Sequence, residues 1–486
     1  MNVDLISIIP EMVITATGLL VLLLSVFIGK KFDRAIAPIS AAGIIAAIAA
    51  VFIFNFYNRA YSFSNSFVVD NFSNFFRIFT LVSTLIFTGL SASYIKDSIH
   101  IKRHLGEFYF LVLTVCTGTM LMSASGDLIM LFISLELVSI PTYILAGYEK
   151  ANERSNEAAL KYFILGILAS AILAYGFSMI YGATGEVNLK EIARVIINRE
   201  LLNQNFMLVV GIIMSLIGFG FKIGSAPFHW WAPDTYEGAP TIVTTLITTI
   251  AKIAAFAGLI RFLYIGISRF SKSLWIIVFI IILSLMSVII GNFMALPQKN
   301  FKRLMAYSSI SHAGFMLVGF AVATVDAQWA VFLYLMAYIS MNLGAFAVAM
   351  LVERTRKSEE IAAFAGIGYT NPFISICMII FMISMVGLPP FAGFIGKLFV
   401  FKAGVENNLT WLVIVGVLTS VVSLWYYVNI IRHMYFVKYE GAPSTARIET
   451  PKLSIFIITI LALFTLAMVI VPSVFIMVST NSVTSF

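Results

Sequence analysis

Long apolar runs, separated by short polar connections, recur along the whole chain of 486 residues. Most runs are near 20 residues long, which is the length that an α-helix needs to cross a bilayer. The alternating ten-residue pattern of membrane β-barrels is a different one. The pattern therefore predicts an all-α integral membrane protein. We place about fourteen transmembrane helices, at residues 5–28, 35–55, 73–95, 108–124, 127–148, 156–181, 206–225, 241–263, 273–295, 302–324, 328–351, 372–401, 409–431 and 452–476.

Composition supports this fold class and excludes most soluble functions. The chain is 60% hydrophobic and 11% charged, whereas soluble domains carry about 25% charged residues. The longest polar connections, 182–205 and 432–451, leave no room for a nucleotide-binding domain. The two cysteines, Cys116 and Cys377, lie inside apolar spans without a CxxC spacing. We therefore expect that the chain itself binds no metal or redox cofactor.

The net charge of +8 is explained by membrane topology rather than by nucleic-acid binding. Counted with the residues at their edges, the odd-numbered loops carry 18 of the 31 lysines and arginines, and the even-numbered loops carry 8. Because basic loops stay in the cytoplasm, the odd loops are predicted to be cytoplasmic and both termini to lie outside.

Two predicted helices are broken in similar ways. The seventh span ends in "GFKIGSAPF" and contains Lys222, and the twelfth reads "MVGLPPFAGFIGKLFVF" and contains Lys397. Proline removes a backbone donor and interrupts the helix close to each lysine. Broken helices at matching places in two halves of a membrane protein are typical of an ion or substrate path.

Charged residues inside apolar spans are the strongest functional signal. Glu136 lies nine residues beyond Asp127, about 14 Å into its helix at 1.5 Å per residue. The deep lysines are Lys222, Lys252 and Lys397, and Lys161 lies about one turn inside the sixth span. Each deep charge opposes insertion by about 2.5–3.5 kcal/mol, so these residues are expected to be functional.

A structural role remains an alternative for each of these charges. Glu136 could simply pair with a lysine, and lysines near helix ends can extend to the membrane surface. Pairing alone does not suffice, because one deep carboxylate faces three deep lysines. Burial disfavours a charged lysine whereas a neighbouring carboxylate favours it, so a lysine under both influences can exchange protons near neutral pH. This arrangement predicts a proton relay.

Polar residues near these charges extend the predicted relay. His312, in "AYSSISHAGF", could pass protons between the two halves, or could be a hydrogen-bonded core histidine. His229, in "PFHWWAPD", is predicted at the cytoplasmic mouth of the broken seventh span. Asp234 and Glu237 nearby either guide protons inward or are solvated loop charges.

These motifs together resemble the antiporter-like membrane subunits of NADH-quinone oxidoreductase, respiratory complex I. The resemblance covers nearly the whole chain. It rests on "LELVSIPTYILAGY", "EAALKYFILG", "FKIGSAPFHWWAPDTYEGAP", "NFKRLMAYSSISHAGFMLVG" and "VGLPPFAGFIGKLFVF". Among the three related subunit types the chain is most similar to the N type, because "LVSIPTYIL" follows Glu136 and the chain ends after fourteen predicted spans.

The resemblance implies an internal organisation and a set of roles. Three N-terminal spans (1–104) would precede two inverted five-helix repeats (105–266 and 273–437) and a C-terminal span (438–486). Glu136 and Lys222 would form the coupling pair, Lys252 the central relay, and Lys397 the terminal proton donor or acceptor. Lys161 matches a lysine of the family's sixth span.

The implied activity belongs to a whole complex in a bacterial cell membrane. Electrons would pass from NADH to quinone through FMN and iron–sulfur clusters in other subunits, while this subunit moves protons beside neighbouring antiporter-like subunits. Three alternatives stay open: a subunit of a multi-subunit sodium/proton antiporter, a membrane subunit of an energy-converting hydrogenase, and a structural anchor. A sodium site would favour several deep carboxylates, whereas the spans suggest only one.

Overall fold

The structure is a computed structural model that describes residues 5–28, 32–55, 59–95, 104–438 and 447–483. Within these residues, thirteen helices are long and apolar enough to cross a membrane. The helices of the first part of the chain are α1 (Ile9–Ile28), α2 (Asp33–Ala50), α3 (Asn71–Tyr94), α4 (Leu105–Ser123), α5 (Leu128–Ala146), α6 (Glu153–Thr184), α7 (Leu189–Asn198), α8 (Leu201–Gln204), α9 (Phe206–Ile223), α10 (Trp231–Gly238), α11 (Thr241–Thr248) and α12 (Ile250–Ile260).

The helices of the second part are α13 (Leu274–Ala295), α14 (Phe301–Val322), α15 (Val325–Arg356), α16 (Ile367–Thr370), α17 (Pro372–Val386), α18 (Ala392–Glu406), α19 (Thr410–Phe436), α20 (Lys452–Ile470) and α21 (Pro472–Val483). Short 3₁₀ turns cover Leu5–Ile8, Phe270–Lys272 and Ile361–Phe364, and π-helical turns cover Val51–Asn55 and Arg261–Gly266. The predicted all-α membrane fold is confirmed.

A short β-hairpin, which the hydrophobic pattern does not predict, connects α2 and α3. Strands β1 (Ala60–Ser62) and β2 (Phe67–Val69) pair antiparallel. Asp70 follows β2 and caps α3, accepting a hydrogen bond from the Ser73 backbone. The hairpin thereby places the Asp70 carboxylate at the start of a membrane-spanning helix.

Both predicted broken helices are present. Helix α9 ends where Gly224 adopts a left-handed conformation (φ 72°), and α17 ends in the same way at Gly387 (φ 86°). The Ala226–Pro227 and Pro389–Pro390 peptide bonds that follow are cis. The predicted span 372–401 therefore consists of two helices of 15 residues each, α17 and α18. For this reason thirteen continuous spans are found where fourteen were expected.

A third break, which the sequence does not predict, lies within the eighth span, Thr241–Gly266. Thr249 has φ −117° and ψ −79°, so the helix stops at Thr248 and restarts at Ile250. The break lies less than one turn before Lys252. Neither glycine nor proline marks it in the sequence.

The two predicted five-helix sets share features, although their division stays a prediction. Their third helices, α6 and α15, each have 32 residues, and the fourth span of each set is interrupted at a glycine with a left-handed conformation. Helices α14 and α15 lie at the centre, with the most apolar part of each fully buried, whereas the corresponding part of the first span is only 22% buried. The exposed apolar side chains of the outer helices provide a surface suited to lipid.

Candidate functional site

The predicted relay residues lie on separate helices of the bundle. Glu136 is on α5, Lys222 on α9, Lys252 on α12 and Lys397 on α18. The side chains of Lys252 and Lys397 are fully buried, and that of Lys222 is nearly so. Each lysine has hydrogen-bond acceptors around it, which replace part of the water that burial removes.

Glu136 and Lys222 form the predicted pair, but they are not in hydrogen-bond contact. Glu136 Oε1 lies 4.0 Å from Lys222 Nζ and accepts a hydrogen bond from Ser170 Oγ at 2.5 Å. Lys222 Nζ instead donates to Ser139 Oγ at 2.7 Å and to Tyr143 Oη at 2.9 Å. The Lys222 ammonium therefore donates to two neutral hydroxyls, and the Glu136 carboxylate lies close by without accepting a hydrogen bond from it.

The break after α9 holds Lys222 in the last turn of its helix. Trp231 Nε1 donates to the Phe221 carbonyl at 2.9 Å, and the Ser225 backbone donates to the Gly220 carbonyl at 2.8 Å. Protein groups thus satisfy carbonyls that the interrupted helix leaves free.

Lys252 is held at the boundary between the predicted repeats. Its Nζ donates to the Ser309 carbonyl of α14 at 2.8 Å and also contacts Ser309 Oγ. Tyr338 of α15 is the third neighbour, with its hydroxyl 3.4 Å away. A buried lysine with only neutral acceptors beside it is well placed to lose its proton.

His312 lies between Lys252 and Lys397. Its Nδ1 is 2.7 Å from Tyr334 Oη, and its Nε2 is 3.2 Å from Tyr427 Oη. Tyr427 Oη also contacts Ser308 Oγ. Both ring nitrogens therefore have hydroxyl partners that can donate or accept a proton.

Lys397 occupies the broken span of the second half. Its Nζ donates to the Val386 carbonyl at 2.8 Å and to Ser420 Oγ at 2.7 Å. It also lies 4.4 Å from the centre of the Phe315 ring, three residues beyond His312. A cavity of about 670 Å³ with an apolar lining, between α18 and α19, reaches this lysine.

Aromatic side chains occupy the space between Lys222 and Lys252. Tyr143 contacts Tyr162, which stacks on Trp231 at 4.5 Å. Trp231 in turn contacts Tyr236, whose hydroxyl is 3.4 Å from Ser309 Oγ. Passage of a proton between these lysines therefore requires water or side-chain motion in addition to the contacts described.

Lys161 lies outside the buried group. Its side chain is 43% exposed, and its Nζ is 2.7 Å from both Glu157 and Asp234. Arg303 of α14 joins Asp234 to Glu237, with both contacts at 2.8 Å. These five charges connect α6, α10 and α14, and a role of Lys161 in proton movement stays a prediction.

The charged network also affects the ionisation of Asp234, which lies between two spans. Partial burial acts to raise the pKa of this carboxyl, but hydrogen bonds from Lys161 and Arg303 outweigh it and hold the pKa below its ordinary value. Asp234 is therefore a stable anion of an ion-pair network.

His229 is buried in the same segment. Its ring stacks on Trp230, with 5.2 Å between the ring centres, and the Trp230 side chain is exposed. Burial lowers the pKa of the His229 imidazole. The neutral form is thus favoured, and the role predicted for His229 at the mouth of the path remains a prediction.

Two buried ion pairs were not predicted. Glu11 Oε1 accepts a hydrogen bond from Arg77 Nε at 2.7 Å, and Asp70 binds Arg261 through two contacts of 2.7 Å. Arg261 also donates to the Ser123 carbonyl. The sequence does show that each of these four charged residues lies within or beside an apolar span. It does not show which of them pair, because the partners are distant in the chain.

Within the described part of the chain, no group of three or more His, Cys, Asp or Glu residues is arranged to hold a metal ion. Cys116 and Cys377 are separate, buried thiols.

Comparison with known proteins relates this geometry to a family. Residues 125–423 match the family model described as "NADH:quinone oxidoreductase/Mrp antiporter, TM", where TM stands for transmembrane. NADH-quinone oxidoreductase subunit N of Trichlorobacter lovleyi is 39% identical over 440 residues, covering 90% of this chain and 88% of the relative.

Solved structures share the fold. A chain of respiratory complex I from Thermus thermophilus superposes with a TM-score of 0.80 at 28% identity, covering 96% of this chain and 98% of that chain. A chain of the Mrp complex from Dietzia sp. gives a TM-score of 0.82 at 19% identity, covering 99% of this chain and 97% of that chain, and supports the fold alone. The chain therefore belongs to the family of membrane subunits of NADH:quinone oxidoreductase and Mrp antiporters.

Proposed function

We propose that this chain is the proton-translocating membrane subunit, of the N type, of a NADH:quinone oxidoreductase in a bacterial cell membrane. Its relatives named subunit N support the assignment. The observation that carries it is the position of Lys222, 4.0 Å from Glu136 and hydrogen-bonded to neutral hydroxyls instead. A change in the charge around Glu136 would alter the proton affinity of this lysine.

The mechanism is electrostatic, and this chain takes part in no electron transfer. A charge movement in a neighbouring membrane subunit shifts the balance between Glu136 and Lys222. Lys252 then gives up or takes up a proton, because its own neighbours are neutral. His312 and its tyrosine partners relay the proton to Lys397, which exchanges it with the outside.

NADH, FMN, the iron–sulfur clusters and quinone belong to other subunits in this proposal. The termini are placed outside the cell, which is consistent with the charge bias of the loops. Lys161 and His229 contribute at the cytoplasmic end of the path.

A subunit of a sodium/proton antiporter is the second candidate, because the family model spans both kinds of complex. A sodium site requires several oxygen ligands. Among the described residues, Glu136 is near a lysine, and Glu11 and Asp70 are each paired with an arginine. In the described part of the chain Glu353 has a free oxygen, but the neighbouring Glu359 is paired with a lysine, so no two of these carboxylates are free to form such a site together. Proton transport independent of sodium is therefore favoured.

The deciding experiment measures proton pumping and quinone reduction by the intact complex in sealed vesicles, with Lys222→Ala and with Lys272→Ala as the control. Lys272 is exposed and lies outside the relay. Pumping is expected to fall with Lys222→Ala alone, while the complex still assembles. Full pumping and full quinone reduction in the Lys222→Ala complex would refute the proposal. Sodium-dependent exchange would favour the second candidate.

A further inference from the structure

A polar cavity of about 700 Å³ lies where the loops between several helices meet. Its lining includes Tyr94, Glu149, Asn152, Glu237, Glu353 and Glu359. These residues lie in or beside loops 3, 5, 7 and 11, which belong to the odd-numbered set predicted to be cytoplasmic because that set carries most of the basic residues. The cavity is therefore a water-accessible space on the side from which protons would be taken up.

Glu353, in the last turns of α15, lies between this cavity and the helix bundle. Its Oε1 accepts a hydrogen bond from Tyr94 Oη at 3.1 Å. Its Oε2 is buried and, among the described residues, has no hydrogen-bond partner. A buried carboxylate oxygen without a partner is costly unless water or a proton satisfies it.

Thr241 faces Glu353 from the first position of α11. Its hydroxyl is also buried and lies near the Glu353 carboxylate without a well-formed hydrogen bond to it. Both side chains line a second, smaller cavity of about 10 Å³, together with Lys302 and Glu359. This volume is close to the space that one water molecule needs, and the lining supplies enough polar partners for it.

Thr241 begins the span that carries Lys252. Four further buried threonines follow it on the way to that lysine: Thr244, Thr245, Thr248 and Thr249. Eleven residues separate Thr241 from Lys252, which corresponds to about 16 Å along a helix. The helix break at Thr249 lies at the far end of this polar stretch.

We propose that Glu353 is the proton-uptake residue of this subunit. One bound water between Glu353 and Thr241 accepts the proton from Glu353 and passes it toward Lys252. Hydronium or a buffer acid in the large cavity protonates the carboxylate and leaves water or the conjugate base of the buffer. The resulting carboxylic acid passes its proton to the water at Thr241, which restores the carboxylate. This inference rests on the proposed function, because it supplies protons to the same relay.

The charges around Glu353 suit proton exchange. Tyr94 faces it from α3 and Lys302 from α14, and Glu149 and Arg354 lie at the same cavity. Lys302 pairs with Glu359 at 2.5 Å and donates to the Ala239 carbonyl at 2.7 Å. Because Glu359 balances this lysine, a neutral Glu353 and an ionised Glu353 are both electrostatically acceptable at the site.

The test compares protons pumped per quinone reduced in vesicles containing the intact complex, with Glu353→Gln, Glu353→Asp and Thr241→Val. Glu360→Gln is the matched control, because Glu360 lines the same large cavity but is exposed. Lys252→Ala is the reference for loss of the whole relay. We expect Glu353→Gln to lower the ratio by the same fraction as Lys252→Ala, Thr241→Val to lower it, and Glu353→Asp to retain much of it.

The outcomes separate the two proposals. If Lys252→Ala lowers the ratio but Glu353→Gln does not, proton uptake through Glu353 is refuted while the relay stands. An equal loss in the Asp and Gln variants would mean a structural role and would also refute it. If Glu353→Gln does not assemble, Thr241→Val decides, and an unchanged ratio rejects the uptake site. A ratio unaffected by Lys252→Ala would instead contradict the proposed function itself.

Discussion

Lys222 Nζ lies 4.0 Å from Glu136 Oε1 but only 2.7 Å from Ser139 Oγ, one helical turn further along α5. The ammonium is therefore near its counter-ion without forming a hydrogen bond to it. Since Ser139 and Glu136 are on the same helix, a small movement of Lys222 exchanges a neutral partner for a charged one. Such an exchange is what an electrostatically driven proton pump requires.

Replacing Ser139 by alanine is expected to weaken this arrangement. The loss of a hydrogen bond to a charged group costs about 1.5–3 kcal/mol, so Lys222 should move toward Glu136 and pumping should decrease several-fold. Proton uptake by vesicles measures the effect. Ser134→Ala is the control, because Ser134 is a buried serine of the same helix whose hydroxyl lacks a partner among the described residues. Equal effects of the two variants would contradict a role for Ser139.

His312→Gln is expected to reduce pumping without preventing assembly. Glutamine can still form hydrogen bonds to Tyr334 or Tyr427, but it cannot carry a proton on a ring nitrogen. The measurement is the pumping rate at equal amounts of assembled complex. Tyr109→Phe serves as the control, since the buried Tyr109 hydroxyl contacts Ser91 and no relay residue. Normal pumping by His312→Gln would mean that this residue is a hydrogen-bonded core histidine.

Asp70→Asn is expected to destabilise the protein strongly. Asparagine caps a helix about as well as aspartate, so the substitution mainly removes the charge that faces buried Arg261. Leaving one partner of a buried ion pair alone costs about 3–5 kcal/mol. The thermal inactivation temperature of the purified complex should fall clearly. Glu191→Gln, which affects an exposed pair with Arg194, should leave it nearly unchanged.

Gly393→Ala should disturb the broken twelfth span. A Cβ atom at Gly393 would lie 1.8 Å from the Ser384 carbonyl oxygen, so α17 and α18 would have to separate near Lys397. Overpacking of this kind costs about 1–3 kcal/mol. We expect lower pumping and a lower inactivation temperature. Gly182→Ala is the matched control, because a Cβ atom there meets only the flexible Met207 side chain at 3.4 Å.

Asp234 gives a prediction for pH dependence. Because its pKa is lowered in the folded protein, its contribution to stability is present above the unfolded pKa of about 3.9 and is lost as the pH falls through the lower folded value. The difference in melting temperature between the unchanged protein and Asp234→Asn should therefore stay constant from about pH 8 to 5. A difference that changes between about pH 6 and 7 would mean that Asp234 exchanges protons in the working range.

The features of the fold that were predicted correctly have local signals in the sequence. Glycine and proline beside Lys222 and Lys397 correctly marked two helix breaks. The break at Thr249 carries no such marker, since neither glycine nor proline stands at or beside this position. The depth of Glu136 and Lys252 followed from their positions in apolar runs.

Contacts between distant residues could not be predicted in the same way. Asp70 and Arg261 are 191 residues apart, and hydrophobic periodicity does not specify which buried charges meet. The position of Lys161 in an apolar helix predicted a place in the relay, which stays a prediction, but it did not indicate that its partner would be Asp234, 73 residues away. The buried carboxylate of Glu353 was missed because it stands near the end of α15, where a charged residue is usually solvated.

The complete enclosure of α14 by protein has a consequence for biogenesis. The middle of this helix carries the polar residues Ser308, Ser309, Ser311 and His312, yet the most apolar part of the helix is 100% buried in the bundle. Released alone from the translocation machinery, it would expose these polar side chains to lipid without their hydrogen-bond partners. The helix must therefore leave the ribosome-bound channel together with neighbouring helices that cover it, so membrane integration of this region is a collective event.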